Sequence, residues 1–198
     1  KNIKINVDKV EGKISVYNDG DGISSSIHPE EKIRIPELIF GHLLTSTNYN
    51  KTQIKHVGGK NGYGAKLANI YSKKFIVETI DRVNGKKYIQ TFYDNMMRKD
   101  KPKMTSYKSK AYTRITYFPD FDKFKTKGIS DDMILIMKKR AYDMAACTNP
   151  GVSIYFNDKK IEYKSFDKYC DLYLVNTDIK RVYERVNDRW EISVCLNP

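Results

Sequence analysis

Gly58-Gly59-Lys60-Asn61-Gly62-Tyr63-Gly64-Ala65-Lys66 is the stretch on which the reading of this chain turns. Four glycines among nine residues make poor core, because glycine has no side chain to bury and costs backbone entropy to order. They suit a segment that wraps closely around a ligand with its N–H groups turned inward. The residues that follow, Ala65 to Tyr71, have the spacing of a helix with Leu67, Ile70 and Tyr71 on one face. A glycine loop that feeds a helix N-terminus offers unpaired amides and the positive end of a dipole to an anion. Lys66, in the first turn, is placed to meet a phosphate. A plain surface loop fits the same composition equally well. The stretch is no Walker A loop, since Lys66 is followed by Leu67 and not by Ser or Thr, and no G-x-G-x-x-G dinucleotide fingerprint occurs.

Upstream, residues 3–7 and 13–17 alternate apolar and polar and predict paired strands about a turn at Glu11-Gly12. The second strand runs into Asn18-Asp19-Gly20-Asp21-Gly22-Ile23, where two glycines force a tight turn and leave an amide or carboxylate pointing outward. The serines that follow (Ser24, Ser25, Ser26) do not return as a strand. Pro36 to Leu44 predicts a helix with proline in its first turn. It hands over to the hydroxyl- and amide-rich Thr45-Ser46-Thr47-Asn48-Tyr49-Asn50. The polar span from Thr45 to Lys55 reads as a lid or as a mobile surface loop.

Downstream, residues 74–80 and 87–92 flank Asn84-Gly85, the strongest short hairpin signal in the chain. Met97 to Lys110 is charged and predicts an exposed connection, and residues 112–118 a further strand. Ser130-Asp131-Asp132 opens a helix as a capping serine with two carboxylates in the first turn. Ile134, Met137, Ala141, Met144 and Ala145 recur at helical spacing and predict packing on a sheet, with Lys138, Lys139 and Arg140 on the solvated side. A hairpin about Asn157-Asp158, a short helix from Phe166 to Leu174, and strands at 181–186 and 190–195 complete the chain. Antiparallel hairpins with helices between them predict an α+β fold, a sheet covered on one face by helices.

Bulk properties narrow the partners. The 198 residues, 40% hydrophobic, suffice for one sizeable domain with the edge of a second. No run approaches the ~20 apolar residues of a membrane span, and no signal peptide precedes the first strand. Both ends look cut from something longer. Cys147, Cys170 and Cys195 are scattered and odd in number, and His28, His42 and His56 form no ligand pair, so neither a disulfide framework nor a zinc site is expected. The net charge of +12 favours polyanionic partners, although the lysines are dispersed, as on any solvated surface.

Three segments taken in order resemble the ATPase region of eukaryotic-type (type IIA) DNA topoisomerase II, within the gyrase, histidine kinase and MutL superfamily. They are Asn18 to Ile23, Leu38 to Tyr49 and Gly58 to Lys66. The likeness continues through Lys74 to Thr79, Arg140-Ala141-Tyr142-Asp143 and Asn187-Asp188-Arg189-Trp190-Glu191, and so covers nearly the whole chain. It implies a Bergerat-type fold, a two-layer sandwich with a mixed, mostly antiparallel sheet. It further implies an ATPase domain over 1–180 that lacks its N-terminal segment, with the opening strands of a transducer domain at 181–198.

The resemblance also implies an ATP site. Asn18 matches the position that reads the adenine amino edge, for which a carboxamide supplies both a donor and an acceptor. Ser46, Thr47 and Asn48 match the segment that contacts ribose and phosphates. Gly59, Lys60, Asn61, Gly62, Tyr63, Gly64, Ala65 and Lys66 match the loop that cradles the triphosphate, with Lys66 supplying charge. Gly20 and Gly22 would let the nucleotide approach the backbone. For Asp19, Asp21 and Lys60, surface charge is the plainer reading. The family's glutamate base and Mg2+-binding asparagine are expected before Lys1, so no catalytic residue is assigned and the fragment alone is expected to be inactive.

The implied activity of the intact protein is passage of one DNA duplex through a transient break in another, driven by ATP and Mg2+. A homodimer would close as a clamp through its N-terminal gate. The implied setting is intracellular: the nucleus for a cellular protein, the host cell or virion for a viral one. A MutL-like repair ATPase, a histidine-kinase catalytic domain and a basic nucleic-acid-binding module with a degenerate pocket are the alternatives.

Overall fold

The computed structural model describes residues 1–43, 62–174 and 180–196. Its frame is a sheet built from hairpins. β1 (Asn2–Asp8) and β2 (Lys13–Asn18) pair antiparallel with Ile5 opposite Val16. β3 (Ser72–Asp81) and β4 (Lys86–Tyr93) pair from Asp81 opposite Lys86 outward, so the turn at Asn84-Gly85 forms where it is expected. β7 (Thr113–Pro119) joins the two hairpins by pairing with both β3 and β2. β8 (Ser153–Phe156) lies parallel to β1, and β9 (Lys159–Lys160) returns antiparallel about Asn157-Asp158. Among the described residues, with β5 at Arg98–Lys99 and β6 at Lys103–Ser106, the order is β5-β4-β3-β7-β2-β1-β8-β9, β6 also pairs with β4, and every pair but β1–β8 is antiparallel.

The stretch from Met97 to Lys110 departs from expectation. It carries β5 (Arg98–Lys99) and β6 (Lys103–Ser106), both paired with β4. Charge hid them, because the side chains are exposed while the backbone pairs. Lys99 anchors the segment by donating to Glu37 at 2.5 Å, and Gln90 Nε2 donates to the Asp100 carbonyl at 3.0 Å.

Residues directly opposite one another share a face of the sheet. Phe75, Val77 and Thr79 stand beside Phe92, Gln90 and Tyr88 on β4 and beside Tyr117, Ile115 and Thr113 on β7. The same face continues to Ile14, Val16 and Asn18 on β2 and to Val7, Ile5 and Ile3 on β1.

Helices cover the two ends of this face. α1 (Ile35–Gly41), with Pro36 in its first turn, and α2 (Gly64–Ile70) lie over the β3–β4 half. Phe40 there meets Phe75, and Asn69 ties α2 to α1 by donating to the Phe40 carbonyl at 3.0 Å. Burial of each of Phe75 and Phe92 contributes roughly 1.5–3 kcal/mol. α3 (Asp131–Cys147) lies over the other half, where Ala141 and Ala145 are buried with Val7, Ile154 and Phe156. Its cap is the expected one: the Ser130 hydroxyl accepts from the Met133 amide at 3.2 Å. Lys138, Lys139 and Arg140 are exposed.

α4 (Phe166–Cys170) ends in a single 3-10 turn, Asp171–Tyr173. Among the described residues, β10 (Arg181–Asn187) and β11 (Trp190–Cys195) pair only with each other. Arg181 bonds back to Asp167 at 2.7 Å and to Asp171 at 2.8 Å. Among the described residues no helix is long and apolar enough to cross a membrane.

Candidate functional site

The helix layer leaves a strip of its sheet face open. Val16 is 37% exposed, although it lies on the same face as Val77, which is fully buried. Beside Val16, at the end of β2, Asn18 is exposed and sits opposite Thr113. The Thr113 and Thr79 hydroxyls are 2.9 Å apart. An apolar floor with a carboxamide and hydroxyls at its rim is the composition of a site for a flat, polar heterocycle. This strip lies between the core under α1 and α2 and the core under α3.

The segment after Asn18 is fastened to the ends of its neighbouring strands. Asp19 is not surface charge: it is 5% exposed and accepts from the Asn2 amide at 2.6 Å, the Asn2 side-chain amide at 2.8 Å and Lys110 at 2.6 Å. Burial by itself would raise its pKa, but these donors outweigh burial and hold it at about 2. A Cβ at Gly20 would stand 2.8 Å from Asn18 Nδ2, so Gly20 clears space for that carboxamide. Gly22 approaches protein, and not open space: at φ +76, a Cβ there would fall 1.8 Å from the Ile80 carbonyl oxygen. Asp21 is exposed, with Arg82 3.6 Å away.

The fastening continues through Ile23, whose amide donates to Thr79 at 2.9 Å. Asp81, 1% exposed, accepts from the Ser25 amide (2.7 Å), the Ser25 hydroxyl (2.8 Å) and the Asn84 amide and side chain (3.0 and 2.7 Å). Burial opposes ionisation of Asp81, yet these donors lower its pKa strongly. Sequence reading missed Asp81; its one signal was an aspartate three residues before Asn84, the spacing of a side-chain-capped turn.

The described part of the glycine stretch behaves in two ways. Tyr63, Gly64 and Ala65 are exposed, and a Cβ on Gly64 would meet nothing within 4 Å. Lys66 is 2% exposed and donates to the Gly62 carbonyl at 2.9 Å. Burial lowers its pKa. Its position is thus that of a strut across the first turn of α2, and not of an extended surface charge. Ser46, Thr47, Asn48, Gly59, Lys60 and Asn61 lie outside the described residues.

Asn18 and α2 occupy the same face of the sheet, α2 through contacts to β3 and β7. No hydrogen bond or ion pair joins Asn18 to residues 62–66 among the described residues. Under α1, Glu37 is buried and bonded to Lys99 at 2.5 Å and to Gln90 at 3.0 Å, while Tyr88 donates to Gln90. That network braces α1 against β4 and β5. Among the described residues no group of three or more His, Cys, Asp or Glu could hold a metal ion.

No protein-family profile matches the chain. Curated relatives do. The chain is 48% identical over 198 residues to "DNA topoisomerase 2" of Acanthamoeba polyphaga mimivirus, covering 99% of this chain and 16% of that protein. It is 48% identical over 200 residues to "Probable DNA topoisomerase 2" of Dictyostelium discoideum, covering 100% of this chain and 13% of that protein. The chain therefore spans about a seventh of the length of these relatives.

Among solved structures, the ATPase region of Saccharomyces cerevisiae topoisomerase II superimposes with a TM-score of 0.94 at 42% identity, covering 100% of this chain and 52% of that one. The ATPase and transducer domains of DNA topoisomerase II from Balamuthia mandrillaris superimpose with a TM-score of 0.90 at 42% identity, covering 98% and 49%.

Proposed function

We propose that this chain, which belongs to the eukaryotic-type DNA topoisomerase II family and corresponds to part of its ATPase region, forms one wall of an ATP site in an enzyme that passes DNA through DNA. The observation that carries the proposal is the open strip beside Asn18, in a chain similar to topoisomerase II along its entire length.

In this reading adenine lies over Val16 and Asn18 reads its amino edge, donating to a ring nitrogen and accepting from the amino group. Gly20 keeps the carboxamide free to do so, and Thr113 supplies a further hydroxyl, held in place by the buried Thr79. By resemblance to the family, Ser46, Thr47 and Asn48 would contact the sugar and phosphates, and Gly59 to Lys66 the triphosphate. No described atom lies within 4 Å of a Cβ on Gly64, so a phosphate is proposed to approach there, and buried Lys66 holds the turn that presents the loop amides. Mg2+ belongs to the same proposal as a counter-ion of the triphosphate. The described side chains do not form a metal site.

The wider activity follows from the family. ATP would close a homodimer over one duplex at its N-terminal gate, and the two strands at 181–198 would begin the transducer that relays closure to the cleavage core. Work on DNA would place the protein inside the cell, in the nucleus, or in the host cell or virion. The relatives' names lend no support to a MutL-like repair ATPase, a histidine kinase or a degenerate binding module.

The test is titration of a non-hydrolysable ATP analogue into the whole protein, with supercoiled-plasmid relaxation alongside. Asn18→Ala is expected to weaken analogue binding and ATP-dependent relaxation together. Relaxation by the wild type that is indifferent to ATP would refute the reading.

A further inference from the structure

The face of the sheet turned away from the helices carries its own chemistry. Across β9, β8, β1, β2, β7 and β3 the register aligns Lys160, Tyr155, Lys4, Tyr17, Arg114 and Glu78 in a single row. Cations and phenol rings alternate until Glu78 closes it. The contacts follow the register: Lys4 lies over the Tyr155 ring at 5.6 Å, and Arg114 over Tyr17 at 5.4 Å and Tyr112 at 5.6 Å.

A groove of about 650 Å³ opens over the middle of this row. Four cations line it, Lys4, Lys13, Lys110 and Arg114, and none of its lining residues is acidic. Ser15 and Thr116, with hydroxyls 3.2 Å apart, supply neutral donors on its floor. Three of the four cations do have carboxylates nearby. Lys13 pairs with Glu11, Lys110 with Asp19 at 2.6 Å, and Arg114 lies 3.8 Å from Glu78. Those carboxylates, with Asp8 3.8 Å from Lys13, offset part of the charge, but they lie outside the lining, so a polyanion in the groove meets the cations first.

Phosphate contacts and base stacking make different demands on such a surface. Stacking needs free aromatic faces. Here Tyr17 packs against Tyr112 at 5.4 Å, and cations lie over both rings and over Tyr155. The aromatic faces are engaged with one another and with the cations, and serve to hold the cations at fixed positions. Fixed cations with hydroxyls between them suit the sugar-phosphate backbone, which positions a duplex without reading its sequence.

We infer that the open face of the sheet, around Lys4 and Arg114, is a docking surface for the phosphate backbone of duplex DNA. This rests on the proposed function, whose substrate it meets on the side of the sheet opposite the nucleotide strip.

The experiment is fluorescence anisotropy of a labelled 20-base-pair duplex titrated with the 198-residue chain between 50 and 200 mM salt. A Lys4→Gln/Arg114→Gln double variant is compared with Lys138→Gln/Lys168→Gln, which removes the same charge from α3 and α4. The groove variant is expected to bind roughly tenfold more weakly and to lower the slope of log affinity against log salt by about 2, whereas the helix-side variant stays near wild type. Equal losses in both variants would mean general surface charge and would overturn the proposal. Tighter binding of a single-stranded 20-mer, lost in Tyr17→Leu, would overturn it in favour of base stacking.

Circular dichroism confirms that each variant is folded, and an ATP-analogue titration on the whole protein, with and without the same substitutions, separates the two readings. Nucleotide binding that persists while DNA binding ignores Lys4 and Arg114 defeats the groove. DNA binding that depends on them in a protein indifferent to nucleotide leaves the groove standing and counts against the ATP site.

Discussion

Gly22→Ala is expected to be the most damaging glycine-to-alanine change among the described residues, and the structure sets its size. The new Cβ would fall 1.8 Å from the Ile80 carbonyl oxygen, where ordinary contact begins at 3.4 Å, so two backbone segments must part by about 1.6 Å, the difference of those values. Three costs combine. A non-glycine residue at φ +76 costs about 1–2 kcal/mol, and overpacking costs about 1–3 kcal/mol. Separating residue 22 from β3 also pulls the neighbouring Ile23 amide off Thr79, about 1 kcal/mol. The expected total is roughly 3–6 kcal/mol.

Gly85→Ala is the matched reference. Its φ of +58 is also left-handed, but its Cβ would meet only the Tyr107 carbonyl at an ordinary 3.6 Å, so about 1–2 kcal/mol is expected. The assay is urea unfolding of both variants, followed by far-ultraviolet circular dichroism. With a slope of about 2 kcal/mol/M, the midpoint of the Gly22 variant should lie about 1 M or more below that of the Gly85 variant. Equal midpoints would refute the claim that Gly22 is required by close approach to β3, and would return it to the role of making room for ligand.

Gly64→Val makes the complementary test. A Cβ at Gly64 meets nothing and valine is no worse than glycine within a helix, so the unfolding midpoint should barely move, while nucleotide binding falls; wild-type nucleotide affinity would mean no phosphate comes near. Asn18→Ala should leave stability unchanged, because the side chain is exposed, and cost about 1–3 kcal/mol of ATP-analogue binding, measured by isothermal titration. Lys66→Met should lower stability by about 1–2 kcal/mol through loss of the bond to Gly62, and thermal unfolding without nucleotide reads this directly. Asp19 has its folded pKa depressed to about 2, so its contribution is fully present above its unfolded value near 4 and is lost as pH falls through 2; Asp19→Asn should flatten the stability–pH curve below pH 4, and an unchanged curve would refute the assignment.

Most of the frame was legible in the sequence because hairpins announce themselves locally. Asn84-Gly85 and Asn157-Asp158 sit between alternating strands, and Ser130-Asp131-Asp132 opens α3 as a cap should. β5 and β6 were not legible. Their pairing is a property of the backbone beside β4, and Lys99 finds its partner Glu37 from 62 residues away. Lys66 was legible as a residue of consequence but not as a buried strut, since burial of a lysine depends on what packs around it.

Asn18-Asp19-Gly20-Asp21-Gly22 shows how far a motif read by its spelling can be trusted. Read as a string, Asn18, Gly20 and Gly22 point to a ligand and the two aspartates to surface charge. In the fold they divide by strand geometry, since successive side chains leave a strand on opposite sides. Asn18 faces the open strip, whereas Asp19 turns away and binds the start of β1 through Asn2. Gly20 serves the carboxamide of Asn18, Gly22 serves the approach to β3, and Asp21 keeps only a solvent-exposed pair. Two of the five residues therefore bear on the proposed nucleotide site, and two set the position of the chain that presents them. That division gives the motif two separable failure modes. Changes at Asn18 should alter affinity at constant stability, and changes at Asp19 or Gly22 should alter stability first and affinity only as its consequence.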